Sequence, residues 1–183
     1  VNIVSVFGSS RVQPGDADYE LAVTVGRVLA EAGYAVMTGG YGGVMAAASK
    51  GANEAGGHVI GVTTKQIEEI TQVDANQWVK EEIMYDALRD RLLHLVKEAN
   101  AGYVALPGGV GTLHEIAETW ELMRFDGIEQ KPFICYGNYW ESIITQVKMS
   151  PYVGDFYRQL MKFAHTPEEI IQILHNWKSE HNA

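Results

Sequence analysis

Glycine closes the β-rich runs of this sequence, and each time a helical pattern follows. "NIVSVFG" leads into Gly8-Ser9-Ser10-Arg11, "YAVMTGG" into Thr38-Gly39-Gly40-Tyr41-Gly42-Gly43, and "AGYVALP" into Pro107-Gly108-Gly109-Val110-Gly111-Thr112. After the first comes Asp18–Ala32, with Leu21, Val25, Val28 and Leu29 on one helical face and Gly33 as its stop. After the second comes the small-residue run "GGVMAAASKGANEAGG", suited to close packing on a sheet, and after the third "GTLHEIAETWELMRF". Strands alternating with helices imply right-handed βαβ crossovers and a parallel sheet covered on both faces. The predicted fold is α/β, a Rossmann-like three-layer α/β/α arrangement with a mostly parallel central sheet, spanning residues 1–183 as one domain.

The remaining elements follow the same rules. "HVIGVTT" and "KPFICYG" read as further strands, and "YWESIITQVK" reads as a helix. Residues 65–79 are polar without a clear period and read as an irregular crossing segment. Glu81–Glu98 reads as one helix, on Ile83, Leu88, Leu92, Leu95 and Val96. Thr166, Pro167 and Glu169 form a capping-box signature for a last helix, expected to end at Trp177 or Lys178.

Composition narrows the function. Apolar residues are 46% of the 183, enough to bury a core. The net charge is −9 and the fourteen Lys and Arg are scattered, which argues against nucleic acid as a partner. The single Cys135, in "PFICYG", excludes a disulfide framework within one chain and reads as a buried thiol. His58, His94 and His114 lack ligand spacing, so no metal and no cofactor are expected. No apolar run approaches a membrane span, and "VNIVSVFGSS" lacks the charged start of a signal peptide. The chain therefore reads as cytoplasmic, with no membrane partner.

In parallel sheets, ligands bind beyond the carboxyl ends of the strands. Glycines there let backbone approach a ligand, and a helix starting just after such a loop aims free N–H groups and its positive dipole end at it. A phosphate-bearing ligand is expected on Gly8, Ser9, Ser10, Gly39, Gly40, Gly43, Pro107, Gly108, Gly109, Gly111 and Thr112. A dinucleotide is not, because both glycine loops lack the last Gly of G-x-G-x-x-G and the third strand ends in Thr63-Thr64 without an acid for a ribose. No Gly-Lys-Ser/Thr follows either loop, so a Walker loop fails too. A mononucleotide or sugar phosphate fits better. Glu115, three residues after Thr112, faces the same mouth. It either serves a sugar, by stabilising an oxocarbenium-like transition state or handling protons, or is a solvated first-turn acid.

"PGGVGTLHE" fits the P-G-G-x-G-T-x-x-E signature and resembles the LOG (Lonely Guy) proteins, cytokinin riboside 5′-monophosphate phosphoribohydrolases often mislabelled lysine decarboxylases. "VFGSSR", "GGYGGVMAAASKGANEAGGHVIGV" and "GIEQKPFICYGNYW" resemble the family in the same order, over most of residues 1–145. The resemblance implies a Rossmann-like fold, usually a homodimer with the site near the interface. It implies cleavage of the N-glycosidic bond of a nucleoside 5′-monophosphate, AMP or an N6-modified AMP, to free base and ribose 5-phosphate. It also implies that Glu115 is the catalytic carboxylate and that Gly108, Gly109, Gly111 and Thr112 cradle the phosphate. The family's catalytic arginine belongs to an Arg-Lys pair; its position here is Leu92, and the neighbouring Arg91 is expected to take the role, against the alternative of a solvated helix arginine, with Arg89 a second candidate. Arg11 is either near the phosphate or solvated, and Met45 and Met84 either line a base pocket or fill the core. Trp120 and Trp140 read as core or dimer-contact residues. The rival class is a non-catalytic carrier of a nucleotide or of molybdenum cofactor on the same fold, favoured if more positive charge than Arg11 and Arg91 surrounds the loops.

Overall fold

A computed structural model describes residues 1–125 and 127–181. Among them, seven strands form one sheet in the order β4-β3-β2-β1-β5-β6-β7. The strands are β1 (Ile3–Phe7), β2 (Ala35–Thr38), β3 (Val59–Thr64), β4 (Glu81–Tyr85), β5 (Gly102–Ala105), β6 (Phe133–Tyr136) and β7 (Met161–Ala164). Every pairing is parallel, so the sheet goes beyond the mostly parallel one expected. The helices are α1 (Ala17–Glu31), α2 (Val44–Glu54), α3 (Lys65–Thr71), α4 (Leu88–Lys97), α5 (Val110–Arg124), α6 (Gly137–Lys148), α7 (Asp155–Arg158) and α8 (Pro167–His181).

The sheet alternates as a doubly covered sheet should. In β1, Val4 and Val6 pack into one layer with α1, α2 and α8, while Phe7 packs into the other with α4, α5 and α6. Small residues bring α1 and α2 together: a Cβ on Gly51 would run into the Val23 carbonyl. Phe7, Tyr103 and Phe133 stack across three adjacent strands on the opposite face.

The segment read as one helix from Glu81 to Glu98 is a strand followed by a helix. Ile83 and Tyr85 are its half-buried residues, two apart, while Glu81, Glu82 and Met84 are exposed. An edge strand needs only one inward row, and charges on it blunt further pairing. Ile83 lies five residues before Leu88 and extends the helical row of Leu88, Leu92, Leu95 and Val96 only loosely, whereas Ile83 and Tyr85, two apart, keep the strand period. Residues 65–71 form α3, capped by Thr64 and ended by Gln72 at φ 55°. It buries no residue and so leaves no amphipathic stripe to read. β7 and α7 are also additions to the sequence reading, being four residues each. The capping box forms as expected, with Thr166 Oγ1 accepting from the Glu169 N–H and the Glu169 carboxylate accepting from His165 and Thr166. The helix it starts continues past Lys178 to His181.

The topology places the site. From β1 the chain steps outward to β4, then returns to lay β5 on the other side of β1. The β1 and β5 loops therefore diverge, leaving a crevice beyond their carboxyl ends.

Candidate functional site

Three strand-end loops are stitched together around that crevice by Ser9. Its N–H donates to the Pro107 carbonyl at 3.0 Å, and its carbonyl accepts the Val44 N–H at 2.8 Å. The first N–H of α2 is thereby occupied. The N-terminus of α5 is different: Gly109 is its N-cap, no side chain caps it, and its first turn carries no acid. Among the described residues, the N–H groups of Val110, Gly111 and Thr112 have no acceptor, leaving free donors at a positive dipole end.

A cavity of about 970 Å³ opens over this helix end, roomy enough for a nucleotide-sized ligand. Gly8, Ser9, Ser10, Arg11, Gly109, Gly111 and Thr112 line one part of it, Arg91 and Glu115 another, and Tyr41, Met45, Ile67, Val73 and Leu88 an apolar end. A smaller cavity of about 330 Å³, between Asn2, Tyr34 and Asn100, lies at the amino-terminal edge of the sheet, away from the crevice.

Not every predicted loop residue reaches the cavity. Gly39, Gly40, Gly43, Pro107 and Gly108 support it instead. A Cβ on Gly39 would collide with the Arg91 guanidinium, one on Gly43 with the Ser9 carbonyl, and one on Gly108 with the Thr112 hydroxyl. Gly109 and Gly111 have the opposite surroundings. A Cβ on either would meet nothing within 4 Å, and neither has a positive φ. Neither packing nor backbone conformation requires glycine at either position, and both line the cavity. Gly111→Ala is therefore expected to leave the protein as stable, or about 0.5 kcal/mol more so, while weakening phosphate binding at least about tenfold. Denaturation curves beside calorimetric titration with ribose 5-phosphate check both halves.

Glu115 is half-buried at the cavity wall, one turn into α5. Burial pushes its carboxyl up to about 7, against the pull of the Arg91 charge. Such a group exchanges a proton near neutral pH, which suits acid–base work.

Arg91 is buried, not solvated, and thus differs from the surface arginine that was its alternative. Its Nε donates to the Val62 carbonyl at 2.6 Å and its Nη2 to the Gly39 carbonyl at 2.9 Å. The guanidinium lies 5.6 Å from the centroid of the Tyr41 ring. Burial lowers its proton affinity, opposed by the charges of Glu115 and Tyr41. Among the described residues it pairs with no carboxylate at ion-pair distance, so its charge acts on Glu115 across space. Tyr41 is held from both sides, its hydroxyl donating to the Thr64 carbonyl and accepting the Thr64 N–H. Asn76 ties the same loop by bonds to the Gly40 and Tyr41 carbonyls.

Other candidates separate cleanly. Arg11 is exposed but lines the cavity, whereas Arg89 and His114 are exposed outside its lining. Met45 lines the apolar end; Met84 is 44% exposed on the edge strand. Trp140 is core. Cys135 is buried and its thiol is pushed up to about 12 by burial, so it is unreactive. Among the described residues no group of three or more His, Cys, Asp or Glu is placed to hold a metal, and no helix is long and apolar enough to cross a membrane. Sequence reading missed Tyr41, Ile67, Val73 and Leu88. Only Tyr41 carried a signal, as the one aromatic inside a run of glycines.

Comparison with known proteins adds the following. The model of the SLOG cluster4 family matches residues 1–151. A cytokinin riboside 5′-monophosphate phosphoribohydrolase of Mycobacterium marinum is 38% identical over 104 residues, covering 55% of this chain and 53% of that protein. One from Arabidopsis thaliana is 27% identical over 156 residues, covering 80% and 70%. The chain thus spans about half the length of the first of these relatives. The X-ray structure of a structural-genomics target, TM1055, superposes with a TM-score of 0.76 at 26% identity over 96% of this chain and 99% of that one. The molybdenum cofactor binding protein from Rippkaea orientalis shares the fold, with a TM-score of 0.73 at 24% identity over 95% of each chain.

Proposed function

The chain belongs to the SLOG cluster4 family, and from that premise we propose that it hydrolyses the N-glycosidic bond of a nucleoside 5′-monophosphate, releasing free base and ribose 5-phosphate. One observation carries the reading: Glu115 stands at the cavity wall one helical turn from the uncapped N-terminus of α5, with Arg91 near enough to act on its charge. A phosphate on the free N–H groups, with Gly8, Ser9, Ser10, Gly109, Gly111 and Thr112 around it, sets the attached ribose beside that carboxylate. The base then lies toward the apolar end at Tyr41 and Met45, with Gly39, Gly40, Gly43, Pro107 and Gly108 supporting the loops. As the bond to the base breaks, the anomeric carbon becomes cationic. The base leaves with the bonding electron pair on its ring nitrogen and takes up a proton from solvent, while ionised Glu115 stabilises the sugar's charge, accepts a proton from the attacking water and returns it to solvent. Arg91, held by two carbonyls, keeps enough of the carboxyl ionised to work near neutral pH.

More positive charge around the loops than Arg11 and Arg91 would favour the carrier reading. Among the described residues, Arg11 and Arg91 are the basic residues lining the cavity, and Arg91 is already engaged. Incubation with AMP, GMP, CMP and an N6-prenylated AMP, followed by chromatography of released base, tests the proposal. Base from the native chain and none from Glu115→Gln supports hydrolysis. Binding of nucleotide without release of base from any of the four would make the protein a carrier.

A homodimer is part of the proposal. Val110 and Leu113 on α5 and Leu88 on α4 are large apolar side chains exposed at 83%, 41% and 45% at or beside the cavity, an apolar rim suited to a second copy. Sedimentation equilibrium is expected to give twice the chain mass, and Val110→Asp to shift it toward the monomer.

A further inference from the structure

Resting on the nucleotide-hydrolysing reading, we propose that Tyr139 is a positioning residue for the phosphate, setting the direction of the Gly109 N–H by holding the Gly108 carbonyl from outside the cavity. Its hydroxyl donates to the Gly108 carbonyl at 3.1 Å. The next residue, Trp140, donates its indole N–H to the Leu106 carbonyl at 2.8 Å. The two rings meet edge to face, centroids 4.9 Å apart. Neighbouring aromatics of α6 thus grip the backbone on either side of Pro107, just where β5 gives way to the α5 loop.

The consequence follows from peptide geometry. The Gly108–Gly109 bond is trans and planar, so its carbonyl and its N–H point in opposite directions. With the carbonyl drawn toward Tyr139, the N–H faces the other way. Gly109 lines the cavity and Tyr139 does not, and among the described residues the Gly109 N–H has no acceptor. That N–H therefore joins those of the first turn of α5 as a donor to the phosphate. A peptide between two glycines has little of its own to stop it rotating. Were it to turn over, a carbonyl oxygen would face the anion where a donor is needed. Tyr139 is 50% exposed, so its hydroxyl is not a requirement of the core, and phenylalanine fits its place.

The test is Tyr139→Phe, with Ser142→Ala as a control on the same helix. Among the described residues, the Ser142 hydroxyl donates to the Tyr139 backbone carbonyl and not to the loop. Titration with ribose 5-phosphate by calorimetry is expected to show about five- to tenfold weaker binding for Tyr139→Phe and no change for Ser142→Ala. The KM for nucleotide should rise by the same factor, kcat should stay within about twofold, and the melting temperature should hold. Unchanged ribose 5-phosphate affinity in Tyr139→Phe overturns the proposal, as does a loss of kcat and melting temperature at constant affinity. If the native chain binds ribose 5-phosphate but releases no base, the hydrolytic reading fails while the Tyr139 comparison still decides the clamp. If the native chain releases base but does not bind ribose 5-phosphate, the clamp on the phosphate loop is overturned while the hydrolytic reading stands.

Discussion

Replacing Glu115 with glutamine is expected to cost at least about a hundredfold in base release while making the protein more stable above neutral pH. The second half follows from linkage. The carboxyl titrates near 4.5 when exposed and is pushed up to about 7 in the fold. Between those values the folded state holds a proton that the unfolded state has released, so the stability this group contributes falls as pH rises through the interval. Below about pH 4.5 the group is neutral in both states and costs nothing; above about pH 7 the whole penalty is present, on the order of 3 kcal/mol. Glutamine carries no charge to desolvate. Chemical denaturation at pH 4 and pH 8.5 should give equal stabilities for the two proteins at the lower pH and a more stable variant at the higher. In the native chain, kcat/KM should rise with pH through about 7, because the ionised carboxylate is the working form. Equal stabilities at both pH values, or undiminished base release, would remove Glu115 from the proposed chemistry.

Arg91→Met is expected to reach further. It removes the donors to the Val62 and Gly39 carbonyls, two buried acceptors behind the wall of the site. Leaving such groups without partners costs about 2–3 kcal/mol, so the urea midpoint should fall clearly. It also removes the positive charge that holds Glu115 down. The rising limb of the pH–rate profile should therefore move to higher pH, and activity at pH 7 should fall more than at pH 9. A fall in activity by one factor at every pH would mean that Arg91 serves only the fold. Arg91→Lys should be intermediate, since an ammonium keeps charge but cannot match the planar fork that reaches both carbonyls.

Glu115 and the α5 loop were legible in the sequence because their spacing is local. Glu115 follows Thr112 by three positions, and a helix puts them on one side whatever the rest of the chain does. Arg91 was legible as a candidate but not as a buried group. What encloses it comes from β2 and β3, the Gly39 and Val62 carbonyls, 52 and 29 residues away along the chain. Gly39 was read as a phosphate glycine, yet its lost side chain makes room for that arginine. Gly109 and Gly111 look the same in sequence and are open to the cavity. Only the neighbours distinguish the two kinds.

The sequence by itself determined the α/β alternation, the parallel sheet, the loops at the strand ends and the acid one turn beyond, because glycine, helix period and capping act within a few residues. It did not separate strand from helix at Glu81–Tyr85, where five residues are too few for a period to stand out beside the helical row that starts at Leu88. Nor could it show α3, which buries no residue. The tertiary structure decided which glycines face the cavity, what buries Arg91 and which apolar side chains line that cavity. Those outcomes depend on strand order: β5 lies beside β1 only after the chain has turned back, and that return brings the Pro107 carbonyl within hydrogen-bond reach of Ser9, whose own carbonyl holds the Val44 N–H.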